Sequence, residues 1–412
     1  MGDLRLPLVS VSPARKAAYE VLLRVFEQDA YADRAFRTAA DGLGERERAF
    51  AQRLAYGSVQ RVRTLDHAIE TLGKRPVRKL DAPVKAALRL GAYQLAYTDT
   101  APHAAVNESV ELVRRARLER AVPFTNAVMR RLDAGIRPLL ESLPEGALEE
   151  SYPDWIAETF EGVLGVEGAL ALMRAMNEPL ETVVRLVRGE PSPSAEPTDI
   201  PGAYRVERVV EGLVAAGRIW PQSRGSQLAG LCVGSGEGER VLDLCAAPGG
   251  KTGQLRGEVT AVEIDPARAR ELRENLATMG RRDVVVVEAD GTALPPELDG
   301  FDRALVDAPC SGLGVLAQRP DLRWRAQPLP ELQLALLRSA ADRVRPGGTV
   351  LYSVCTLNPD ECEEVVEASG LRVLPLGEEW PAFAHPSRPE FLLTLPHVHG
   401  TSGFFVARLA VD

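Results

Sequence analysis

Five short apolar segments between Gly238 and Cys355 constrain the fold more than any other feature of the sequence. They read RVLDLC, VTAVEID, DVVVVEAD, FDRALVDAP and GGTVLYSVC, and sequence with helical periodicity separates each from the next. Such alternation predicts a parallel sheet flanked by helices, with ligands bound in a crevice at the carboxyl ends of the strands. Further on, GFFVARLA (403–410) predicts an additional strand, antiparallel and at the edge of the sheet.

Two regions of different character precede this α/β domain, which we place at residues 226–412. Residues 1–140 are predicted to form an all-helical domain, because apolar residues recur at helical spacing throughout. Its first helix begins at a capped Ser12-Pro13, and further helices are predicted at 45–60, 64–72, 82–98, 105–118 and 125–139. Residues 141–225 predict a small α+β subdomain, with a strand at 183–188 and a Pro-rich loop at 191–202.

Composition limits the protein class. Hydrophobic residues make up 45% and charged residues 26% of the 412 residues, which is typical of a soluble globular protein. No apolar run is long enough to span a bilayer, and Met1 to Val11 lacks the apolar core of a signal peptide. The five cysteines include no CxxC pair, which argues against disulfides and zinc and favours a reducing, cytoplasmic location. We expect no metal, no membrane partner and a monomer.

Charge is distributed unevenly along the chain. The net charge is −9, but residues 1–140 carry +8 and the remainder carries −17. A basic helical domain on an acidic body suits a protein whose first domain binds a polyanion such as RNA. The alternative is that the basic residues only solvate helix faces, and charge alone leaves both interpretations open.

The segment VLDLCAAPGGKT (241–252) predicts a ligand-binding loop. Small residues and glycines after the first strand let a ligand approach the backbone, and a helix is predicted to begin at Lys251 or Thr252. A P-loop is excluded because position 245 is Cys, and no G-x-G-x-x-G is present. Glu263 and Asp290 end the next two strands, where they suit ribose hydroxyls and an adenine amino group. This is the layout of Rossmann-like class I methyltransferases.

Two cysteines are expected at neighbouring strand ends. Asp307 and Cys310 follow the fourth strand, and Cys355 follows the fifth. Adjacent strands lie about 5 Å apart, so both thiols could face one crevice. A lone cysteine is usually a small buried hydrophobe, but a pair beside an acid suits nucleophilic catalysis. A thiolate that adds to C6 of cytosine makes C5 nucleophilic, and Asp307 would stabilise the adduct through N3.

The chain resembles RsmB-type (Sun/Fmu family) RNA cytosine-C5 methyltransferases. The resemblance rests on DLCAAPGGKT, DAPCSGLGVL…RPDLRW, YSVCTLNPDECE and GFFVARL, and PHAAVNESVELVRR with FTNAVMRRL resembles NusB-like RNA-binding domains. It implies S-adenosyl-L-methionine as cofactor and small-subunit (16S) ribosomal RNA as substrate. It also implies that Cys355 is the nucleophile, that Cys310 assists product release, and that Lys251 contacts cofactor and target. The implied cofactor-binding residues are Cys245, Ala246, Ala247, Pro248, Gly249, Gly250, Lys251, Glu263, Asp290 and Asp307.

The sequence departs from the family pattern at four places. Pro221-Gln222-Ser223 replaces Val-Gln-Asp, Arg185-Leu186-Val187 replaces Arg-Val-Asn, Glu361-Cys362-Glu363 replaces Glu-Asn-Glu, and Ser402 replaces Asp. These departures bear on RNA contacts rather than on the cofactor or the nucleophile.

Two other functions remain open at this point. One is a DNA cytosine-C5 methyltransferase that attacks through Cys310, which would leave Cys355 and the helical domain without a role. The other is a non-catalytic RNA-binding assembly factor, which the intact Asp307, Cys310 and Cys355 disfavour. Arg323 and Trp324 after the Pro-Cys loop are either positioning residues for a flipped or single-stranded base or ordinary packing residues.

Overall fold

The computed structural model describes residues 11–412, so most of the segment considered above for a signal peptide lies outside the described residues. Contacts divide the chain into two compact units. The N-terminal unit comprises residues up to Glu158 together with Arg319–Arg325, and the C-terminal unit comprises Thr159–Gln318 and Ala326–Asp412. Among residues 11–412, no helix combines the length and apolarity needed to cross a membrane.

Helices occupy most of the N-terminal unit and are interspersed with strands afterwards. α8 is interrupted at Gly165, whose φ of 70° is not helical. The helices of the described residues are α1 (Pro13–Glu27), α2 (Ala32–Ala39), α3 (Glu45–Gln60), α4 (Val62–Gly73), α5 (Ala82–Tyr97), α6 (Pro102–Arg115), α7 (Val122–Glu141), α8 (Asp154–Ala175), α9 (Glu211–Ala215), α10 (Arg224–Cys232), α11 (Pro266–Thr278), α12 (Leu322–Arg325), α13 (Pro330–Ala341), α14 (Glu363–Ser369) and α15 (Pro396–His399).

The helical prediction for the first domain is confirmed. The predicted helix at 45–60 matches α3, and the Ser12 hydroxyl caps α1 by accepting a hydrogen bond from the Arg15 amide at 3.4 Å. The sequence prediction missed α2, which is only eight residues long. Apolar side chains from α1, α3, α4 and α5 form one core, with Leu22, Leu54, Leu65 and Leu88 buried.

The segment 319–325 is part of the N-terminal unit although it follows the fourth parallel strand in sequence. The guanidinium carbon of Arg323 lies 3.8 Å from the centroid of the Tyr152 ring, and the side chain is 1% exposed. The indole nitrogen of Trp324 donates to the Val59 carbonyl at 2.7 Å, and its ring packs on the helical core. These contacts favour the packing interpretation of Arg323 and Trp324 over the positioning one.

The C-terminal unit contains two sheets. Their strands are β1 (Val183–Leu186), β2 (Glu196–Pro197), β3 (Ala203–Arg205), β4 (Ile219–Pro221), β5 (Arg240–Leu244), β6 (Glu258–Glu263), β7 (Val285–Glu288), β8 (Phe301–Asp307), β9 (Val344–Val354), β10 (Arg372–Leu374), β11 (Leu392–Thr394) and β12 (Phe404–Ala410).

The large sheet is the Rossmann-like sheet expected from the alternating pattern. Its strand order is β10-β12-β9-β8-β5-β6-β7, with β11 also paired to β12. β5 to β9 pair in parallel, so the carboxyl ends of β5, β6, β8 and β9 meet at one edge. The small sheet has the order β2-β3-β1-β4 and is antiparallel, and its β1 matches the strand predicted at 183–188.

Two details of the sheet prediction were wrong. β12 is antiparallel, as predicted, but it lies between β9 and β10 rather than at the edge, because Arg372–Leu374 pairs along its other side. Within the described residues, α-helices occur in the β6–β7 and β8–β9 connections but not in the β5–β6 or β7–β8 connections. The latter two contain Gly, Pro and short turns, which cannot sustain a helix.

Candidate active site

The loop after β5 exposes backbone at the carboxyl end of the central strand. Cys245 adopts a positive φ of 61°, and Gly249 adopts 101°. Because L residues rarely adopt this φ, position 249 requires glycine, and a Cβ there would also lie 2.8 Å from the end of the Leu272 side chain. The helix predicted from Lys251 or Thr252 is a single 3₁₀ turn (Thr252–Gln254), because β6 begins only four residues later. The loop itself, rather than a long helix, therefore presents the amide groups.

Side chains from α11 hold this loop from outside. Arg268 donates to the Ala247 carbonyl at 2.8 Å, and Asn275 donates to the Pro248 carbonyl at 2.8 Å. Burial raises the pKa of the Cys245 thiol to about 12, so this cysteine stays a neutral thiol. The predicted loop residues from Cys245 to Lys251 thus form one continuous, externally braced surface.

Two acids lie beside the loop, as the sequence predicts. Glu263 at the end of β6 is 2% exposed, and its Oε1 accepts a hydrogen bond from the Asp265 amide at 3.1 Å. Its Oε2 accepts no hydrogen bond within the described residues and lies 3.6 Å from Arg268. Asp290 follows β7 and accepts hydrogen bonds from the backbone amide and hydroxyl of Thr292, which hold the pKa of its carboxyl below the usual range.

These residues fit S-adenosylmethionine. A buried carboxylate oxygen with remaining acceptor capacity suits the ribose hydroxyls of a nucleoside, because burying a polar group without a hydrogen bond is costly. The small-residue loop lets the rest of such a ligand approach the backbone, as Gly249 requires.

The two cysteines meet at the neighbouring edge. β8 and β9 pair in parallel with Asp307 opposite Ser353, which places the loops that carry Cys310 and Cys355 side by side. The two Sγ atoms are 3.5 Å apart. A hydrogen bond from the Cys310 thiol lowers the pKa of Cys355 below its usual value, and the same interaction raises that of Cys310 well above it. The pair therefore favours a thiolate on Cys355 and a thiol on Cys310.

An ion pair joins the loop after β5, which we call the cofactor loop (residues 245–251), to β8. Lys251 Nζ lies 2.7 Å from Asp307 Oδ2 and 4.8 Å from the centroid of the Phe404 ring. The Lys251 side chain is 10% exposed and the Asp307 side chain 30%. The Lys251 charge also contributes to the lowered pKa of Cys355. The structure thus brings together Lys251, Asp307, Cys310 and Cys355, the four residues predicted to be catalytic.

Sequence reasoning assigned no role to Glu361, which ties the two cysteine loops together. The side chain is fully buried, and its Oε1 accepts hydrogen bonds from the Ser311 amide (2.9 Å), the Gln333 amide group (2.9 Å) and the Leu329 amide (3.1 Å). The Ser311 hydroxyl donates to its Oε2 and lies 2.7 Å from the Thr356 hydroxyl. Ser311 and Thr356 immediately follow Cys310 and Cys355. The acid within PDECE was the only signal in the sequence.

Arg185 and Gln222 belong to two motifs that depart from the family pattern, and the structure brings them together. Arg185 Nε donates to Gln222 Oε1 at 3.0 Å, and its Nη2 donates to the Gly250 carbonyl at 3.3 Å. Arg185 also donates to the Gly253 carbonyl at 3.4 Å. The small sheet therefore braces the cofactor loop from a second side, through a buried guanidinium whose pKa burial lowers to about 10.

Asp243 in β5 is a second buried acid that the sequence analysis left unassigned. It is 1% exposed, and burial raises the pKa of its carboxyl to about 7, an effect that the Thr252 hydroxyl partly opposes. Cys232 and Cys362 are both buried, as is usual for cysteines that pack as small hydrophobic residues.

Comparisons with known proteins agree with this geometry. Residues 231–410 match the family model described as 16S rRNA methyltransferase RsmB/F, and residues 12–134 match the NusB family. A protein of Synechocystis sp. named "Probable ribosomal RNA small subunit methyltransferase B" is 32% identical, covering 96% of this chain and 99% of that protein. The ribosomal RNA small subunit methyltransferase B of Salmonella newport is 28% identical, covering 86% of this chain and 89% of its own.

A solved structure supports the fold over the whole chain. The crystal structure of PH0851 aligns with a TM-score of 0.81 and 22% sequence identity, covering 98% of this chain and 99% of that one. At this level of identity the likeness concerns the fold alone. The match to the Synechocystis relative exceeds 30% identity over nearly both full lengths, so this chain belongs to the ribosomal RNA small subunit methyltransferase B family, S-adenosylmethionine-dependent enzymes that methylate ribosomal RNA.

Proposed function

We propose that the protein methylates carbon 5 of a cytosine in small-subunit ribosomal RNA through a covalent bond between Cys355 and C6 of the base. The observation that carries the proposal is the 3.5 Å separation of the Cys310 and Cys355 thiols beside the cofactor loop. Cytosine C5 is too weakly nucleophilic to attack a methyl donor directly, so a thiol nucleophile meets a specific chemical need. S-adenosylmethionine, when bound, supplies an electrophilic methyl group.

The first step is attack by the Cys355 thiolate. Its Sγ forms a bond to C6, and the electrons of the C5–C6 double bond move towards C5 and the ring. A proton that Lys251 donates by way of the Asp307 carboxylate, 2.7 Å away, neutralises the charge that develops towards N3. C5 then carries the electron density that takes the methyl group. The cytosine must be single-stranded or flipped out of its stack to reach these groups.

The last step is elimination. Loss of the C5 proton to a base returns its electron pair to the ring as the C5–C6 double bond, and the C6–S bond breaks. The proton gained at N3 returns to the Lys251–Asp307 pair. The leaving group is the Cys355 thiolate, which the Cys310 thiol stabilises by donating its hydrogen bond. This assigns product release to Cys310.

The direction of the pKa shifts bears on the alternative with Cys310 as nucleophile. The hydrogen bond lowers the pKa of Cys355 and raises that of Cys310, so the thiolate resides on Cys355. Cys310 would have to lose its proton although its pKa is higher than that of Cys355. Attack by Cys355 is therefore the better supported mechanism.

The test is methyl transfer from labelled S-adenosylmethionine to unmodified small-subunit ribosomal RNA with wild type, Cys355→Ala and Cys310→Ala. We expect label in 5-methylcytosine with wild type, a loss of at least about 10³-fold with Cys355→Ala, and no protein–RNA adduct for that variant on denaturing gels. Cys310→Ala should accumulate the adduct. The reverse pattern would exchange the two roles, and label only on matched DNA would support the DNA enzyme. Cofactor binding without transfer would support the non-catalytic factor.

A further inference from the structure

The N-terminal unit contains an open groove with a volume of about 540 Å³, formed by residues 75–84 and 117–124. We call it the basic groove. It lies between the end of α4, the start of α5 and the turn that leads into α7. Four basic side chains line it, namely Arg75, Lys79, Arg117 and Arg120, against two acidic ones, Asp81 and Glu119.

The basic residues of the groove differ from other arginines of the same unit. Arg89 pairs with Asp66 at 2.7 Å, Arg15 with Glu108 at 2.9 Å, and Arg61 with Glu150 at 3.3 Å. In contrast, Lys79 and Arg120 are exposed and form no ion pair with any residue in 11–412. Arg117 is likewise exposed and without such a pair.

One of the two acidic residues of the groove, Glu119, pairs with an arginine outside the groove. Glu119 Oε2 lies 4.0 Å from Arg114 Nε, so part of its charge is offset there. The groove thus keeps an excess of positive charge that no neighbouring carboxylate neutralises. Such an excess attracts a polyanion, and clustered Lys and Arg on one face are its usual signature.

The groove also offers a planar surface. The guanidinium of Arg75 lies 5.4 Å from the centroid of the Phe124 ring. Arg75 is exposed and Phe124 half-buried, so the guanidinium lies over the ring and remains accessible to solvent. Unstacked RNA bases stack on aromatic rings and on arginine planes. Ala121 and Phe124 also bring the start of the 20-residue helix α7 into the groove, where its dipole favours phosphate.

We propose that the basic groove binds a single-stranded segment of the RNA substrate, with phosphates at Lys79, Arg117 and Arg120 and a base stacked on Arg75. This inference rests on the proposed function, since it names the surface that holds the substrate of the same reaction. Charge without a stacking surface would suit any polyanion, whereas the Arg75–Phe124 stack beside unpaired cations suits exposed bases.

The experiment compares two charge-matched double variants of the full chain. Lys79→Glu with Arg120→Glu reverses two groove charges, and Lys16→Glu with Arg46→Glu reverses one lysine and one arginine that are exposed on α1 and α3, outside the groove lining. Binding of a fluorescent small-subunit ribosomal RNA fragment is measured by anisotropy over a salt series. We expect the groove variant to bind at least about ten-fold more weakly, with a slope of log K against log salt smaller by about 1.4.

Kinetics and a third variant separate a binding role from a structural one. The groove variant should raise KM for RNA and leave kcat and KM for S-adenosylmethionine unchanged, and the surface control should behave as wild type. Arg75→Ala should weaken binding without changing the salt slope as much, because it removes stacking more than phosphate contact.

Two outcomes would overturn the inference. Equal weakening by both double variants would make the effect one of overall charge, and unchanged RNA binding by the groove variant would show that the groove does not bind the RNA. Failure of the proposed function is visible separately, since wild type would then transfer no methyl group to RNA whatever the groove variants bind.

Discussion

Two regions of the C-terminal unit each bury a carboxyl group, but they differ in the number of hydrogen-bond donors that surround it. Between the cysteine loops, Glu361 accepts hydrogen bonds from the Ser311 amide, the Ser311 hydroxyl, the Gln333 side chain and the Leu329 amide. Beneath the cofactor loop, Asp243 is equally buried, but burial raises the pKa of its carboxyl to about 7. One buried acid has enough donors and the other has too few.

The difference shows what each region contributes. These donors come from the loop at Ser311 and from the start of α13, and the Thr356 hydroxyl also donates to Glu361 Oε2 at 3.4 Å. The side chain therefore fixes the relative position of the two loops that carry the thiols. Asp243 lies within a central strand, where the sheet has already fixed the backbone, and its charge is only destabilising. Glu361 positions the reacting thiols, whereas burial of Asp243 lowers the free energy of unfolding by an amount that depends on pH.

The largest effect is expected at the thiol pair that Glu361 positions. Cys310→Ser replaces the thiol that lowers the pKa of Cys355, so that pKa should rise and the pH profile of adduct formation should move to higher pH. Turnover at neutral pH should fall at least about ten-fold, because a smaller fraction of Cys355 is thiolate. Single-turnover rates from pH 6 to 10 check this. Cys232→Ala, in the core, is the control, and an unshifted profile would contradict the pairing.

Glu361→Gln should have the next largest effect. The amide oxygen can replace Oε1 and accept from the Ser311 and Leu329 amides, but the NH2 group then replaces Oε2, so the hydroxyls of Ser311 and Thr356 lose their acceptor. All of these hydrogen bonds also lose the carboxylate charge, so the tie between the two loops weakens. We expect kcat to fall by up to about ten-fold with both KM values nearly unchanged, and the free energy of unfolding to fall by about 1–3 kcal/mol.

A matched control distinguishes this from a general charge effect. Glu364→Gln changes an exposed acid on the same segment and should leave kcat and stability as in wild type. If Glu361→Gln lowered stability but left kcat intact, the tie between the loops would be structural only, and the contrast with Asp243 would weaken.

Asp243→Asn should have the smallest effect on activity. It should raise the free energy of unfolding, whereas Glu361→Gln should lower it. The pKa of Asp243 is raised on folding from 3.8 to about 7, so the folded state binds its proton more tightly and wild-type stability falls as pH rises through this interval. Asparagine removes this loss. The variant should gain little over wild type near pH 4 and up to about 4 kcal/mol above pH 7.

Denaturant unfolding at pH 4, 6 and 8 measures this difference, with the exposed Asp299→Asn as the control. A gain independent of pH would mean that folding does not change the pKa of Asp243. A loss at pH 8 would mean that its charge is required, and the two buried acids would then be alike.

Much of the candidate site follows from the sequence because parallel strands bring their carboxyl ends to one edge. Asp307 ends its strand, and Cys310 and Cys355 follow theirs within three residues, so knowing the strands placed them together. The long-range hydrogen bonds that hold the site in place could not be predicted from the sequence. Glu361 reaches Ser311 across 50 residues of sequence, and Arg185 reaches Gly250 across 65. No local pattern records such contacts.

The sequence by itself determined the class of fold, the strand ends that carry the thiols, and a loop with small residues next to two acids, since periodicity and residue type are local properties. Only the tertiary structure decided that β12 lies inside the sheet, that the connection after the cofactor loop is a 3₁₀ turn, and that Arg323 and Trp324 are packed within the N-terminal unit. It also decided which cations stay unpaired and whether a buried acid finds donors, because both depend on neighbours that are distant in the chain.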